Sequence, residues 1–111
     1  MSDFLIAPAA RVELEEIWDY YALELQNPDA ADGIRDEIFA AFHKLAKMPG
    51  MGHIRRDLAT EPLRFSSVRC YLIIYRNEKR PIEIVRVLHG ARDVQAILGA
   101  RQSVYRKRLA N

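Results

Sequence analysis

Cysteine and histidine are scarce in this chain of 111 residues, with one of the first and three of the second. Cys70 has no second thiol to pair with inside the chain, and His43, His53 and His89 are too scattered to form a metal cluster. Also missing is any apolar run approaching the roughly 18–20 residues that a membrane span needs. The opening MSDFLIAPAARVELEE has an acid at position 3 and no basic region before its short apolar stretch, unlike a signal peptide. These absences lead us to expect a reducing, cytoplasmic setting, no metal and no membrane partner. Half of the residues are apolar and 29% are charged, a balance that argues against a disordered chain. With no internal repeat, low-complexity tract or composition break, residues 1–111 read as one domain around one core.

Lysine is scarce too: 13 of the 17 basic residues are arginine. Their placement is uneven, because residues 1–49 carry a net charge of −6 and residues 50–111 a net charge of +8. Arginine's planar fork suits carboxylate and phosphate recognition. The basic half can therefore meet an acidic protein segment or a nucleic-acid backbone, or it can be drawn to the acidic half within the fold.

Phe4-Leu5-Ile6-Ala7 suits a brief strand, and Pro8 fits the first turn of a helix. Ala10, Leu14, Ile17, Trp18, Tyr21 and Leu25 then recur at spacings of three and four, one face of an amphipathic helix with Trp18 and Tyr21 in the core. Asn27-Pro28-Asp29 supplies a cap, a first-turn proline and an acid for the positive end of a second helix. Its stripe is Ala30, Ile34, Ile38, Ala41, Phe42 and Leu45, and Pro49-Gly50 ends it. So short a connection predicts an antiparallel helix hairpin.

From residue 50 to about 63, PGMGHIRRDLATEP reads as a loop. Strands are expected at 63–69, 70–76 and 82–88, with a turn over 77–81 between the last two. Both faces of the third run are apolar: strict alternation puts Ile82, Ile84 and Leu88 on one and Val85 and Val87 on the other, so this strand belongs inside a sheet. Cys70 is expected as a small buried apolar residue. Val94, Ile97 and Leu98 suit a short C-terminal helix, followed by a basic tail from about residue 100. The expected fold is α+β, a helix hairpin on a small, mainly antiparallel four-strand sheet, with the first strand beside the third of the later runs.

The order of elements and several phrases resemble the toxins of the RelE/ParE superfamily from bacterial type II toxin–antitoxin modules, and the ParE branch most closely. The phrases are Leu14-Glu15-Glu16-Ile17-Trp18-Asp19-Tyr20-Tyr21, Leu45-Ala46-Lys47-Met48-Pro49-Gly50-Met51-Gly52, Arg55-Arg56, Arg64-Phe65 and Tyr71-Leu72-Ile73-Ile74-Tyr75-Arg76. Ile84-Val85-Arg86-Val87-Leu88-His89-Gly90-Ala91-Arg92-Asp93 completes the set. The likeness runs from about residue 4 to residue 98. It implies a toxin held inactive by an antitoxin encoded beside it and, for the ParE branch, one that poisons DNA gyrase by binding. Such a toxin needs no cofactor, does no covalent chemistry and reads no nucleic-acid sequence itself. The superfamily's other branch, the ribosome-dependent mRNA interferases, needs a general base, a general acid and cations around the cleaved phosphate. Arg64, Arg69, Arg86 and His89 are the available groups, but Gly90 stands where some interferases place an aromatic, and Tyr105 is the sole aromatic downstream. A degenerate toxin that only binds its antitoxin is the third alternative.

On this reading Arg86, His89, Arg92 and Asp93 form the surface used on the target. The blander alternative makes Asp93 a helix cap paired with Arg92 or Arg86, with His89 on a backbone carbonyl. Tyr20, Leu23 and Phe39 fall off the packing stripes and would form an apolar patch for an antitoxin helix. Arg55, Arg56 and Arg64 lie at or before an open edge of the 63–69 strand and would pair with antitoxin carboxylates. No residue is assigned a catalytic role, and His43 and His53 read as incidental.

Overall fold

The computed structural model describes residues 3–55 and 62–90. The expected C-terminal helix, the basic tail, Arg56, Arg92 and Asp93 lie outside the described residues. Strand β1 (Phe4–Ile6) leads into helix α1 (Pro8–Asp19), a π-helical turn (Tyr20–Glu24) and helix α2 (Pro28–Lys47). Strands β2 (His53–Ile54), β3 (Arg64–Val68), β4 (Tyr71–Arg76) and β5 (Ile82–His89) follow. They form one sheet in the order β1-β5-β4-β3-β2. Strand β1 runs parallel to β5, with Ile6 opposite Ile84, and the other pairings are antiparallel. The α+β order and the place of β1 beside β5 are as expected, but the sheet has five strands rather than four. Its extra strand, β2, is two exposed residues from the stretch read as a loop, paired to Phe65 and Arg64. So short a pairing leaves no period-two signal in a sequence.

Helix α2 follows from its own chemistry. The Asn27 side chain accepts the Ala30 amide at 3.1 Å, Pro28 opens the first turn, and Lys44 and Lys47 sit at the negative end of the dipole. It buries Ala31, Ile34, Ile38, Phe42 and Leu45, one stripe at helical spacing. Full burial of a side chain such as Phe42 contributes roughly 1.5–3 kcal/mol. Helix α1 departs from its expected stripe near its end. The Leu25 amide bonds back to the Tyr20 carbonyl, five residues earlier, and this wide turn rotates the later positions. Ala22 is therefore buried, while Leu25 is 52% exposed instead of in the core.

Alternation along β4 divides the core. Tyr71, Ile73 and Tyr75 face the helices with Ile34, Ile38, Phe42 and Leu45, whereas Leu72 and Ile74 join Leu63, Phe65 and Leu88 on the other side. A β-bulge corrects the expected faces of β5. Arg86 lies opposite Ile74 but Ile84 lies opposite Tyr75, so Val85 is an extra residue. Ile82, Ile84 and Val87 consequently face the helices, and Val85 and Leu88 face away. Cys70 is exposed rather than buried, because it sits with Arg69 at the tip of the β3–β4 turn instead of within a strand. Phe39 is not an outward patch residue: its ring packs 5.3 Å from Phe42 and 6.2 Å from Phe4. No helix among the described residues is long and apolar enough to cross a membrane.

Candidate functional site

Strand β1 stops at Ile6, level with Ile84, but β5 continues to His89. Between this unaccompanied half of β5 and α1 lies a groove of about 920 Å³. Glu13, Ile17, Tyr20 and Tyr21 line it from the helix side, and Tyr71, Arg86, Val87 and His89 from the sheet. The Glu13 carboxylate organises its floor. Arg86 donates to it through Nε at 3.0 Å and Nη2 at 2.6 Å, and the Val87 amide donates to Oε1 at 2.9 Å. Glu13 thus takes an edge amide of β5 where the neighbouring strand has ended. Only 24% of the Arg86 side chain and 14% of the Glu13 side chain are exposed. Glu13 hydrogen bonding holds the Arg86 guanidinium above its ordinary pKa, against desolvation, which acts the other way.

The aromatic groups are arranged in two edge-on pairs. Tyr71 meets the His89 ring at 5.5 Å and Tyr20 meets Tyr21 at 5.3 Å, both close to perpendicular. Burial pushes the Tyr71 phenol well above its ordinary range, and a hydrogen bond with Tyr21 adds to the shift. Tyrosines and an oriented arginine are the residue types that dominate binding surfaces. Among the described residues, no three His, Cys, Asp or Glu side chains are placed to hold a metal ion.

Arg86, His89 and Tyr20, two of them expected on the target surface and one on the antitoxin surface, line this one groove. Leu23, 65% exposed, lies on the π-helical turn beside Tyr20. Arg55 and Arg64 are at the other edge of the sheet, on and just after β2 and β3. Arg64 is committed there: its Nη1 donates to the carbonyls of Gly52 at 2.8 Å and Gly50 at 3.4 Å. The same loop is fastened by Tyr75, whose hydroxyl donates to the Pro49 carbonyl at 2.7 Å and accepts the Gly52 amide at 2.9 Å. Arg69 pairs through both nitrogens of its fork with Glu37 of α2, tying the β3–β4 turn to the helix. Its hydrogen bonds lower the Glu37 pKa.

Sequence reasoning puts Glu13 on the water-facing side of α1 and passes over Tyr21 and Tyr71 as site residues, whereas the Glu13 side chain is only 14% exposed. Glu13 carried a signal, since it falls three residues after Ala10 and four before Ile17, a charged residue in a packing position. A carboxylate there demands a partner. Tyr21 and Tyr71 carried none, because each also reads as an ordinary core tyrosine.

The sequence profile of the ParE toxin of the type II toxin–antitoxin system parDE matches residues 4–94. Toxin ParE1 of Caulobacter vibrioides is 33% identical over 103 residues, spanning 89% of this chain and all of that protein. Toxin ParE1 of Mycobacterium tuberculosis (strain ATCC 25618 / H37Rv) is 32% identical over 94 residues, spanning 84% of this chain and 94% of the relative. A solved structure described as the chromosomal ParDE TA system from P. aeruginosa superposes with a TM-score of 0.65 at 20% identity, over 78% of this chain and 94% of that one. That likeness speaks for the fold, and the sequence matches speak for descent. The chain belongs to the ParE toxins of type II toxin–antitoxin systems.

Proposed function

We propose that this toxin acts by binding DNA gyrase, through the α1–β5 groove and the end of β5 at His89, and that a cognate antitoxin neutralises it. One observation carries the choice of binder over nuclease. The three arginines weighed for phosphate chemistry are each engaged within the protein: Arg64 with the carbonyls of Gly50 and Gly52, Arg69 with Glu37, and Arg86 with Glu13. A ribonuclease would need such cations converging on one phosphate. Family membership supports the gyrase target and the antitoxin partner. Tyr20 and Leu23 offer exposed apolar anchors to an antitoxin helix, and β2 pairs only with Arg64 and Phe65, leaving the β3 edge past Phe65 without a described neighbour.

Induction of the toxin without its antitoxin tests the target, combined with a supercoiling assay on purified gyrase. Gyrase poisoning gives filamentation, a DNA-damage response and double-strand breaks while translation continues. Cleavage of mRNA within ribosomes would replace this reading with the interferase, and absence of toxicity would replace it with a chain that only binds antitoxin.

A further inference from the structure

We propose that Glu13 is a positioning residue for the toxic surface: its carboxylate aims the Arg86 guanidinium within the groove and holds the outer half of β5, with His89 at its end, in place. The proposal rests on the reading of the groove as the toxic surface, and gives Glu13, which lines that groove from α1, a role exerted through Arg86 and β5. Three donors converge on this one carboxylate, two from Arg86 and one from the Val87 backbone. An arginine held by Nε and Nη2 has lost most of the rotamer freedom of its long side chain, so its remaining donors are presented in one direction. The backbone bond acts separately. Beyond Ile84 there is no β1 beside β5, so the outer half of the strand is paired on its β4 side only, through His89 opposite Tyr71. Glu13 therefore supplies a strand partner's acceptor on the edge that β1 leaves open, two residues before His89.

Glu13→Gln separates positioning from folding. The amide oxygen can still accept the Val87 amide, but the charge that holds both Arg86 donors is gone. In the full-length protein, NMR should show the Arg86 Nε–H exchanging faster with solvent while the backbone amide map keeps its native pattern, at a melting temperature lowered by the uncompensated Arg86 charge. Growth arrest on induction should weaken about tenfold, the scale at which loss of preorganisation shows in binding. Arg86→Lys, which keeps the positive charge but not the two-pronged contact, should weaken growth arrest likewise. Glu37→Gln, which breaks the exposed Arg69 pair away from the groove, should remain fully toxic. A folded Glu13→Gln protein as toxic as wild type overturns the proposal, as does equal weakening by Glu37→Gln. If Glu13→Gln does not fold, Glu13→Asp, which keeps the charge but draws it back by one methylene, decides the matter by Arg86 Nε–H exchange and growth arrest. A wild-type chain that does not arrest growth overturns the functional reading and the proposal together. Arrest without gyrase inhibition overturns only the choice of target.

Discussion

Glu13 on α1 and Arg86 on β5, 73 residues apart in sequence, form a two-pronged ion pair that also takes in the backbone amide of Val87. With both side chains mostly buried, removing one partner strands a charge, which makes single truncations costly. A double-mutant cycle with Glu13→Ala and Arg86→Ala should give a coupling of about 1–3 kcal/mol by denaturant unfolding. A coupling near zero would mean that water screens the pair. Because Arg86→Ala costs stability, its toxicity cannot be interpreted without the unfolding measurement.

The loop after α2 gives a second stability prediction. Tyr75 is fully buried, and its hydroxyl satisfies both the Pro49 carbonyl and the Gly52 amide. Tyr75→Phe should cost about 1–2 kcal/mol, since it leaves the buried Gly52 amide unpaired, while the Pro49 carbonyl keeps the Asn77 side-chain amide at 3.3 Å. Gly52→Ala should also destabilise, because its Cβ would stand 2.5 Å from the Tyr75 hydroxyl oxygen and 2.7 Å from the ring. Chemical denaturation checks both. A Gly52→Ala protein as stable as wild type would show that the loop shifts freely.

How far the sequence foretold this structure depends on what each feature leaves in the pattern. Asn27-Pro28-Asp29 and the Ile34–Ile38–Phe42–Leu45 stripe were legible because capping and helical periodicity act locally. The bulge at Val85 was not, since one inserted residue changes the faces of β5 without changing its apolar composition. The π-helical turn hid the exposure of Leu25 for the same reason. The basic half was legible as charge, but Arg69 and Arg86 proved to face Glu37 and Glu13, partners that only the packing of α1 and α2 on the sheet could reveal. The groove joins residues from α1, β4 and β5, so its members could be named singly but not as a group.

Stability should respond to both ends of the pH range. The folded pKa of Glu37 is lowered by Arg69, so the unfolded chain binds protons more readily there. This contribution is complete above the usual glutamate range and is lost as pH falls through the lowered value. Glu37→Gln should thus unfold earlier than wild type near neutrality and match it in acid. The difference should be small and shrink with salt, because the pair is exposed. Burial raises the pKa of Tyr71 and Tyr75. Stability that depends on these neutral phenols is complete below the ordinary tyrosine range and falls as pH rises through the raised values. Tyrosinate absorbance in the native protein should show these two residues ionising late, and with unfolding.

Toxicity should depend on the groove's outer residues. His89 and Tyr20 are exposed and line it, and Arg92 follows two residues after Gly90. His89→Ala, Tyr20→Ala and Arg92→Ala should each weaken growth arrest while leaving the melting temperature near that of wild type. Three folded and fully toxic variants would move the toxic surface elsewhere, with the basic tail beyond residue 100 the next segment to test.

Antitoxin binding should be steered by charge but held by apolar contact. The net +8 of residues 50–111 favours an acidic partner segment that folds on contact, although Glu13 and Glu37 already neutralise two of those arginines. Arg55, just after β2, and Arg56, next in sequence, are the arginines proposed to meet antitoxin carboxylates, and Tyr20 and Leu23 are the apolar anchors. Opposite charges mainly accelerate encounter, whereas buried anchors set the lifetime of the complex. Between roughly 50 and 500 mM salt, where the Debye length shrinks severalfold, the association rate should fall clearly and the dissociation rate should change little. Leu23→Ala should do the reverse, speeding dissociation at an unchanged association rate. An association rate indifferent to salt would assign the charge division to internal pairs of the Glu13–Arg86 kind rather than to the partner.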